Sequence, residues 1–321
     1  MMRVAVAGGG GLGYLLATSI SHADNAYNVI VLSRTQRAEY VAHDIQVHPV
    51  NYYSHESLNY ALRGVDLVIS TISGPEQINL ILAAGDGQVR YFIPSEFEGP
   101  LAQRPTQDVM DRGSAQALAM LQHLQSKKRL NYTVFSCGVF MERFLPHGLA
   151  TLNIGYGEGV AGAGSYLCDM ASMTAEYPVS TQRGRTFRLC LTSVHDLVCF
   201  VIAAMELGPR TWPREFTMRG DRLSVPDVTM TCSSVRNAAF THHPLEYSDL
   251  LLYQAHYAEE GDYERTGYYQ RLLATAEARY DFSQASLNEI VTRSSSVHVY
   301  PATFAQWLAS VWQTPHESGS L

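Results

Sequence analysis

The sequence carries little charge and has no strongly basic segment. Of its 321 residues, 17% are charged, and the formal net charge is −7. The densest basic run is Lys127, Lys128 and Arg129. Because nucleic-acid binding needs a basic patch or stripe, this mildly acidic composition argues against nucleic acid as the main partner.

Cysteine is also scarce, and its spacing argues against a metal site. The five cysteines are scattered, and no two of them form a CxxC pair. No cluster of His, Cys and Glu has the spacing of metal ligands, so we expect no bound metal. The odd number of cysteines suits a reducing compartment, which predicts a cytoplasmic protein.

Long hydrophobic runs are missing as well. The apolar run that follows Arg3 is too short to span a membrane and lacks a signal-peptide cleavage pattern. We therefore expect no association with a membrane. Hydrophobic residues nevertheless make up 46% of the chain, which is enough for a globular protein with a buried core.

What the chain does contain is an alternation of short apolar runs and helical stretches. Arg3–Ala7 (RVAVA) and residues 28–32 (NVIVL) are typical of strands buried on both faces of a parallel sheet. Further strands are predicted over residues 45–50, 67–71, 90–94, 131–136, 187–192 and 216–219, and helices over 12–21, 54–63, 76–84, around 108–126, 196–206, from 223, 263–278 and 304–312. The alternation predicts an α/β fold with a doubly wound parallel sheet of the Rossmann type.

A glycine block follows the first predicted strand and opens the first predicted helix. Residues 8–13 read GGGGLG, so Gly8, Gly10 and Gly13 satisfy the G-x-G-x-x-G pattern, with Gly11 and Leu12 between them. In this context the pattern predicts a dinucleotide site, because the helix N-terminus and a close backbone approach both favour a pyrophosphate. The alternative is a glycine-rich turn with no ligand.

The end of the second strand predicts which dinucleotide binds. A site for NAD usually has Asp or Glu at this point, to bond the ribose 2′-hydroxyl. Here Ser33 and Arg34 follow Leu32, and Arg34 offers a planar fork to a 2′-phosphate. We therefore predict that the cofactor is NADP. The alternative is a solvated arginine on a surface turn.

Two more strand ends belong to the same predicted edge of the sheet. Ser73 lies just after the fourth strand, and Pro94, Ser95 and Glu96 come after the fifth. Ligands of doubly wound sheets bind outside the carboxyl ends of the strands, so these residues are expected to border the cofactor. Glu96 is the only carboxylate close to the end of the fifth strand. It is either a catalytic group or a structural acid that holds its loop.

Four segments together resemble the NmrA-like and isoflavone-reductase-like group of atypical short-chain dehydrogenases: VAVAGGGGLG, VIVLSR, GVDLVISTIS and RYFIPSEFEG. Residues 191–207 also resemble the strand and helix with which that family returns to its Rossmann domain. The resemblance implies NADP(H) and a cleft between two domains. The matching functional positions are Gly8, Gly10, Gly13, Arg34 and the loops at Ser73 and at 94–97. The glycine block is one residue shorter than in many relatives and lacks their usual threonine.

The resemblance also divides the chain. It implies an NADP-binding Rossmann domain over residues 1–150, with a return segment at about 185–208. A smaller substrate-binding domain is implied over residues 151–312, followed by a disordered tail over 313–321. Residues 155–164 are rich in glycine, and we interpret them as a mobile loop near a ligand.

A departure from the family bears on the chemistry. The family's reductases carry a catalytic lysine on the helix after the fifth strand, but residues 106–125 contain none. Arg112 cannot replace it, because a guanidinium does not release its proton at neutral pH. The candidate groups for proton transfer are Glu96, Asp111, Tyr156 and Tyr166, with His147 or a bound water as further alternatives.

Three functions remain open at this point. The first is a tailoring enzyme of small-molecule secondary metabolism that uses NADPH to reduce a C=O, C=N or conjugated C=C bond of a medium-sized apolar substrate. The second is a redox-silent cyclase or isomerase, of the Pictet–Spengler type, on the NADP-bound scaffold. The third is a regulator that senses the redox state of NADP and reports to a protein partner. A homodimer stays an open alternative to a monomer.

Overall fold

Six parallel strands form the central sheet of the computed structural model, which describes residues 1–155, 166–180, 184 and 187–313. Their spatial order is β3-β2-β1-β4-β5-β6, so the chain adds strands on one side of β1 up to β3 and on the other side from β4 onward. This is the strand order of a Rossmann sheet, so the predicted doubly wound fold is confirmed. The strands are β1 Arg3–Ala7, β2 Asn28–Ser33, β3 Gln46–Pro49, β4 Leu67–Ser70, β5 Tyr91–Ile93 and β6 Asn131–Tyr132.

Helices cover both faces of this sheet. Val4 and Val6 of β1 pack on one face with α1 (Leu12–Ser21) and α5 (Val194–Leu207). Ala5 and Ala7 point to the opposite face, where the helices are α2 His55–Ala61, α3 Gly74–Asp86 and α4 Ser114–Ser126. The strand is apolar at every position because its side chains alternate between two buried layers.

The single strand predicted over residues 131–136 is two short strands in the structure, and each pairs with a different neighbour. Tyr132 of β6 pairs with β5, whereas β7 (Val134–Ser136) pairs in parallel with β12 (Glu215–Thr217). The N–H of Thr133 donates to Phe92 and its hydroxyl donates to Pro213. The segment that follows β6 thereby forms a two-stranded sheet with a strand from the later part of the chain.

The helix predicted around residues 108–126 begins at Ser114, so the prediction is wrong at its N-terminal end. Gly113 lies in the left-handed region at φ +88° and breaks the helical path before Ser114. Asp108 instead forms an ion pair with Arg279 at 2.8 Å and accepts a hydrogen bond from the N–H of Met110. A contact distant in sequence thus holds residues 108–113 in a turn.

A second body of structure contains its own hydrophobic cluster, built around Phe144, Tyr166, Leu189 and Phe304. Its strands are β8 Val139–Phe140, β9 Cys168–Asp169, β10 Thr174–Pro178, β11 Arg188–Thr192, β13 Asp221–Ser224 and β14 Thr241–Leu245. Its helices are α6 Val225–Arg236, α7 Tyr247–Glu260, α8 Tyr263–Ala276 and α10 Phe304–Trp312, while α9 Ser286–Arg293 packs beside β12. The division of the chain into domains at about residue 150 stays a prediction.

Residues 156–165, which include all of the predicted glycine-rich loop except residue 155, and residues 314–321 of the predicted tail lie outside the described residues. In the described ranges, no helix combines the length and the apolar character needed to cross a membrane. The same ranges contain no group of three or more His, Cys, Asp or Glu side chains placed to hold a metal ion.

Candidate active site

A cleft of about 650 Å³ opens at the carboxyl ends of the central strands. The glycine turn after β1 and the end of β2 border it, together with the loops after β4 and β5. Its opposite wall is formed by Tyr263, Gly267, Gln270 and Arg271 of α8. The cleft therefore lies where a doubly wound sheet binds its ligands, between the sheet and the later part of the chain.

The glycine turn has the geometry that a dinucleotide needs. A Cβ atom on Gly8, at φ +106°, would lie 2.3 Å from the Thr71 hydroxyl, and one on Gly13 would lie 1.9 Å from the Gly8 carbonyl oxygen. A Cβ on Gly10 would meet nothing within 4 Å. Gly8 and Gly13 are therefore required for packing inside the turn, whereas Gly10 leaves space on the cleft side.

Gly11 and Leu12 have different surroundings. A Cβ on Gly11 would lie 2.4 Å from the carbonyl oxygen of Asn153, so the segment after Gly148–Leu152 packs directly on the glycine turn. Leu12 lines the cleft at the start of α1, whereas Gly11 and Gly13 do not line it in the described structure.

The end of β2 places Ser33 and Arg34 at the rim of the same cleft. Ser33 is buried and its Oγ lies 3.5 Å from the N–H of Thr35, while Arg34 is exposed and lines the cleft. Arg37 lines the cleft too and lies 3.6 Å from Glu39. An exposed guanidinium beside a glycine turn is suited to a phosphate group.

Only some of the residues predicted in the loops after β4 and β5 line the cleft. Ser73, at the N-terminus of α3, and Ser95, just after β5, line the cleft, whereas Pro94 is not among the described lining residues. The N–H of Ser95 donates to the buried side-chain oxygen of Gln77 at 2.7 Å. Helix α3 thus fixes the loop that carries Ser95 and Glu96.

Glu96 is 2% exposed and belongs to a buried network of charges. One of its oxygens forms an ion pair with Arg104. Arg104 also lies 3.2 Å from Glu98, and Glu98 forms a second ion pair, with Arg279, at 2.7 Å. Its other oxygen, Oε1, has no hydrogen-bond partner among the described residues. Burial raises the pKa of Glu96, although the charge of Arg104 opposes that shift.

The other predicted proton-transfer groups do not all reach the cleft. Tyr166 lines it, is 1% exposed and shares a 2.7 Å hydrogen bond with Thr275, and burial raises its pKa. Asp111 is exposed, accepts a hydrogen bond from Ala115 at the start of α4 and is not among the described lining residues. His147 is exposed and outside the described lining. Tyr156 lies outside the described residues.

Comparison with known proteins identifies the fold. The chain is similar to the isoflavone reductase crystal structure, at a TM-score of 0.69 and 16% identity, with 96% of this chain and 98% of that chain covered. This is the isoflavone-reductase fold. A leucoanthocyanidin reductase from Vitis vinifera has the same fold at a TM-score of 0.69 and 14% identity, covering 97% of this chain and 100% of that one. The predicted resemblance is thus confirmed for the fold.

Similar sequences come from fungi. Oxidoreductase BOA1 of Botryotinia fuckeliana is 28% identical over 300 residues, which are 86% of this chain and 92% of that protein. Oxidoreductase swnN of Metarhizium robertsii is 27% identical over 268 residues, which are 75% of each chain. No family model matches the sequence.

Within this isoflavone-reductase fold, helix α4 presents a hydroxyl to the cleft. Ser114, the first residue of α4, is the only residue of that helix among the described lining, and it lies beside Glu96. The two lysines of the chain, Lys127 and Lys128, are exposed at the opposite end of the same helix. The described cleft therefore has no lysine to move a proton.

Several residues that line the cleft could not have been predicted from any pattern in the sequence. Arg143 lies in the 3₁₀ segment Met141–Phe144, Arg271 lies on α8, and Tyr280 follows that helix. None of them belongs to a motif, and only the folded chain brings them to the cleft. Arg112, just before α4, also lines the cleft.

Proposed function

We propose that the protein is an NADP(H)-dependent reductase of a medium-sized, largely apolar small molecule, with a C=O, C=N or conjugated C=C bond as the group reduced. The observation that carries this proposal is the shared cleft: the space beside Gly10 and the guanidinium of Arg34 border one cavity. Oxidoreductases among the similar sequences and NADPH complexes among the similar structures support it.

The residues present fit the cofactor. The turn at Gly8–Gly13 would hold the pyrophosphate at the N-terminus of α1, and Arg34 with Ser33 would bind the 2′-phosphate. Ser73 and Ser95 would border the nicotinamide half of the molecule. When bound, NADPH supplies the hydride that a reduction needs.

The chain must then supply or accept the proton. We propose Glu96 for this role, because it lines the cleft, its raised pKa favours the protonated form, and the Ser114 hydroxyl lies beside it. Tyr166 is the alternative donor within the described lining. Asp111 would need to act through another group, and Tyr156 stays a candidate on the sequence alone.

Titration with NADPH and NADH tests the cofactor assignment. We expect at least about tenfold tighter binding of NADPH, since a charge-assisted pair with the 2′-phosphate contributes roughly 1.5–3 kcal/mol and tenfold corresponds to about 1.4. The variant Arg34→Ala should lose most of that preference. Arg293→Ala, at an exposed arginine on α9, is the matched control and should keep it. Equal affinities for the two cofactors in the unaltered protein would contradict the assignment.

A second candidate is the redox-silent cyclase or isomerase, which the cleft favours through one observation. The cleft contains the buried carboxyl group of Glu96, and α4 contributes no lysine to it. A condensation or isomerisation needs a base and a charge-stabilising carboxylate rather than a hydride. The near-ultraviolet absorbance of NADPH separates the two candidates: a reductase consumes this signal in step with product, whereas a cyclase leaves it unchanged.

A further inference from the structure

A series of ion pairs joins the loop after β5 to the segment after α8. It runs from Glu96 through Arg104 and Glu98 to Arg279, and we call it the ion-pair chain. Nε of Arg104 lies 3.2 Å from Oε1 of Glu98, and the same oxygen lies 2.7 Å from Nη2 of Arg279. Arg279 also pairs with Asp108 at 2.8 Å. One oxygen of Glu98 is therefore shared between two arginines from distant parts of the sequence.

Glu98 is held firmly at the middle of the ion-pair chain. Its carboxylate accepts two hydrogen bonds from the guanidinium group of Arg279, at 2.7 and 3.2 Å, and the side chain of Arg279 is only 4% exposed. Its backbone carbonyl accepts hydrogen bonds from the N–H groups of Cys137 and Gly138. Because the backbone of Glu98 is fixed, its side chain is the part that can respond to a change at Arg279.

The ion-pair chain crosses a close contact between the two sides of the cleft. A Cβ atom on Gly99 would lie 2.2 Å from the carbonyl oxygen of Arg279, so the loop after β5 packs directly on the segment after α8. The next residue, Tyr280, lines the cleft, and its carbonyl oxygen accepts a hydrogen bond from the N–H of Cys190 in β11. The chain of charges thus connects the central sheet to the second body of structure.

The groups around Glu96 act on it in opposite directions. Burial raises the pKa of Glu96, the charge of Arg104 and a hydrogen bond from Ser114 lower it, and the negative charge of Glu98 raises it. Without Arg279, Glu98 would compete more strongly for Arg104 and draw it away from Glu96. Loss of Arg279 should therefore favour the protonated form of Glu96.

We propose that Arg279 is a positioning residue that acts on Glu96 through the ion-pair chain, so that the contact between the α8 segment and the loop after β5 regulates the proton-transfer group. This inference rests on the proposed function, because it takes the role of Glu96 in proton transfer from there. Arg279 is not among the described residues that line the cleft, so it acts through other side chains. Loss of the contact would weaken the hold of Arg104 on Glu96 and change how readily the carboxyl group releases its proton.

The titration of the Glu96 carboxyl group tests the inference without a substrate. In the full chain labelled with carbon-13 at the side-chain carboxyl carbons of glutamate, the NMR signal that Glu96→Gln removes is that of Glu96. We expect Arg279→Gln to raise the midpoint of this titration by up to about 1 pH unit, the low end of the effect of a neighbouring opposite charge. Glu98→Gln should lower the midpoint, because it removes a negative charge and leaves Arg104 to Glu96.

A double variant shows whether Arg279 acts through Glu98. In the Glu98→Gln protein, the further change Arg279→Gln should move the Glu96 midpoint little, because the connecting carboxylate is already absent. If Arg279→Gln moves the midpoint equally in both backgrounds, its charge acts directly and the positioning role is refuted. Arg279→Lys keeps the charge but loses the planar fork, so it should give a smaller rise, and it decides the question if Arg279→Gln does not fold.

Controls separate positioning from a general loss of structure. Asp108→Asn breaks the other ion pair of Arg279 but keeps the pair with Glu98, so it should move the Glu96 midpoint less than Arg279→Gln does, with urea denaturation as the measure of stability. An unchanged midpoint in the folded Arg279 variants, or an equal shift in Asp108→Asn, would overturn the inference. NADPH titrations complete the set. The expected midpoints in a protein that does not bind NADPH would contradict the proposed function alone, and NADPH binding with unchanged midpoints would contradict this inference alone.

Discussion

The phenol of Tyr40 donates a hydrogen bond to the carbonyl oxygen of Gly9, at 3.1 Å. Tyr40 is completely buried in the 3₁₀ segment Ala38–His43, which follows the loop of Arg34 and Arg37. Its ring also packs edge-on against Tyr14 of α1, with the ring centroids 5.3 Å apart. One side chain thus joins the glycine turn to the loop that carries the proposed phosphate ligand.

The substitution Tyr40→Phe should weaken this connection. It leaves the Gly9 carbonyl without the phenol's hydrogen bond, which should lower the free energy of unfolding by about 1 kcal/mol. NADPH should bind several-fold more weakly, because the glycine turn and Arg34 lose their common support. Urea denaturation and NADPH titration measure the two effects. Tyr60→Phe, at an exposed tyrosine, is the control, and a Tyr40→Phe protein with unchanged affinity would contradict the proposed support.

Substitutions at two glycines of the turn should have contrasting effects on protein stability and on NADPH binding. Gly10→Val should leave the protein folded, because nothing lies within 4 Å of the added Cβ, but should abolish NADPH binding by filling the space of the pyrophosphate. Gly13→Ala should lower the free energy of unfolding by about 2–3 kcal/mol, because its Cβ would collide with the Gly8 carbonyl. Thermal unfolding and NADPH titration of both variants check this contrast. Normal NADPH binding by Gly10→Val would show that the turn is not the phosphate site.

The sequence predicts the central sheet well because its signals are local. Apolar runs such as Arg3–Ala7 are buried on both faces, and the glycine block follows that strand directly, so period and context agree. The bounds of α1 and α10 are predicted to the residue for the same reason. Ser54 caps α2 by accepting a hydrogen bond from the N–H of Ser57.

What the sequence misses depends on contacts between distant parts of the chain. The start of α4 is shifted by the ion pair of Asp108 with Arg279, which no local pattern predicts. Helix α7 has no prediction because it buries only Leu250 and therefore lacks an apolar stripe. Arg143 and Arg271 are ordinary residues in sequence and meet at the cleft only after folding.

A buried carboxyl group outside the cleft lining predicts how stability depends on pH. Glu142 accepts hydrogen bonds from the N–H of Val194, at 2.9 and 3.0 Å, and burial raises its pKa from 4.5 to about 7. Because the folded state binds this proton more tightly than the unfolded state, the contribution to stability is complete below about pH 4.5. It is lost as the pH rises through about 7.

The variant Glu142→Gln isolates this effect. Relative to the variant, the unaltered protein should lose roughly 2–3 kcal/mol of unfolding free energy between pH 4.5 and pH 8. Denaturant titrations at several pH values give the difference directly, and Glu259→Gln on the exposed surface of α7 is the control. A constant difference over this pH range would show that Glu142 ionises normally in the folded protein.

Among the four proton-transfer candidates, Glu96→Gln should have the largest effect on turnover. Loss of a group that moves the proton lowers the rate by roughly 10²–10⁴-fold, with NADPH binding retained. Because the substitution also removes the charge partner of Arg104, activity must be compared per folded molecule, with circular dichroism as the measure of folding. Ser114→Ala is the companion variant. It removes the neighbouring hydroxyl but keeps the carboxyl, so it should lower the rate less and shift the alkaline limb of the pH profile to higher pH, because the hydrogen bond from Ser114 lowers the pKa of Glu96.

The other three variants distinguish the remaining assignments. Asp111→Asn should have little effect, because that carboxylate is exposed at the start of α4 and outside the described lining of the cleft. Tyr166→Phe removes a buried hydroxyl that is hydrogen-bonded to Thr275, so it should lower stability by about 1 kcal/mol and turnover less than Glu96→Gln does. If Tyr166→Phe or Tyr156→Phe instead causes the larger loss of turnover, a tyrosine is the proton donor and Glu96 is the structural acid of its loop.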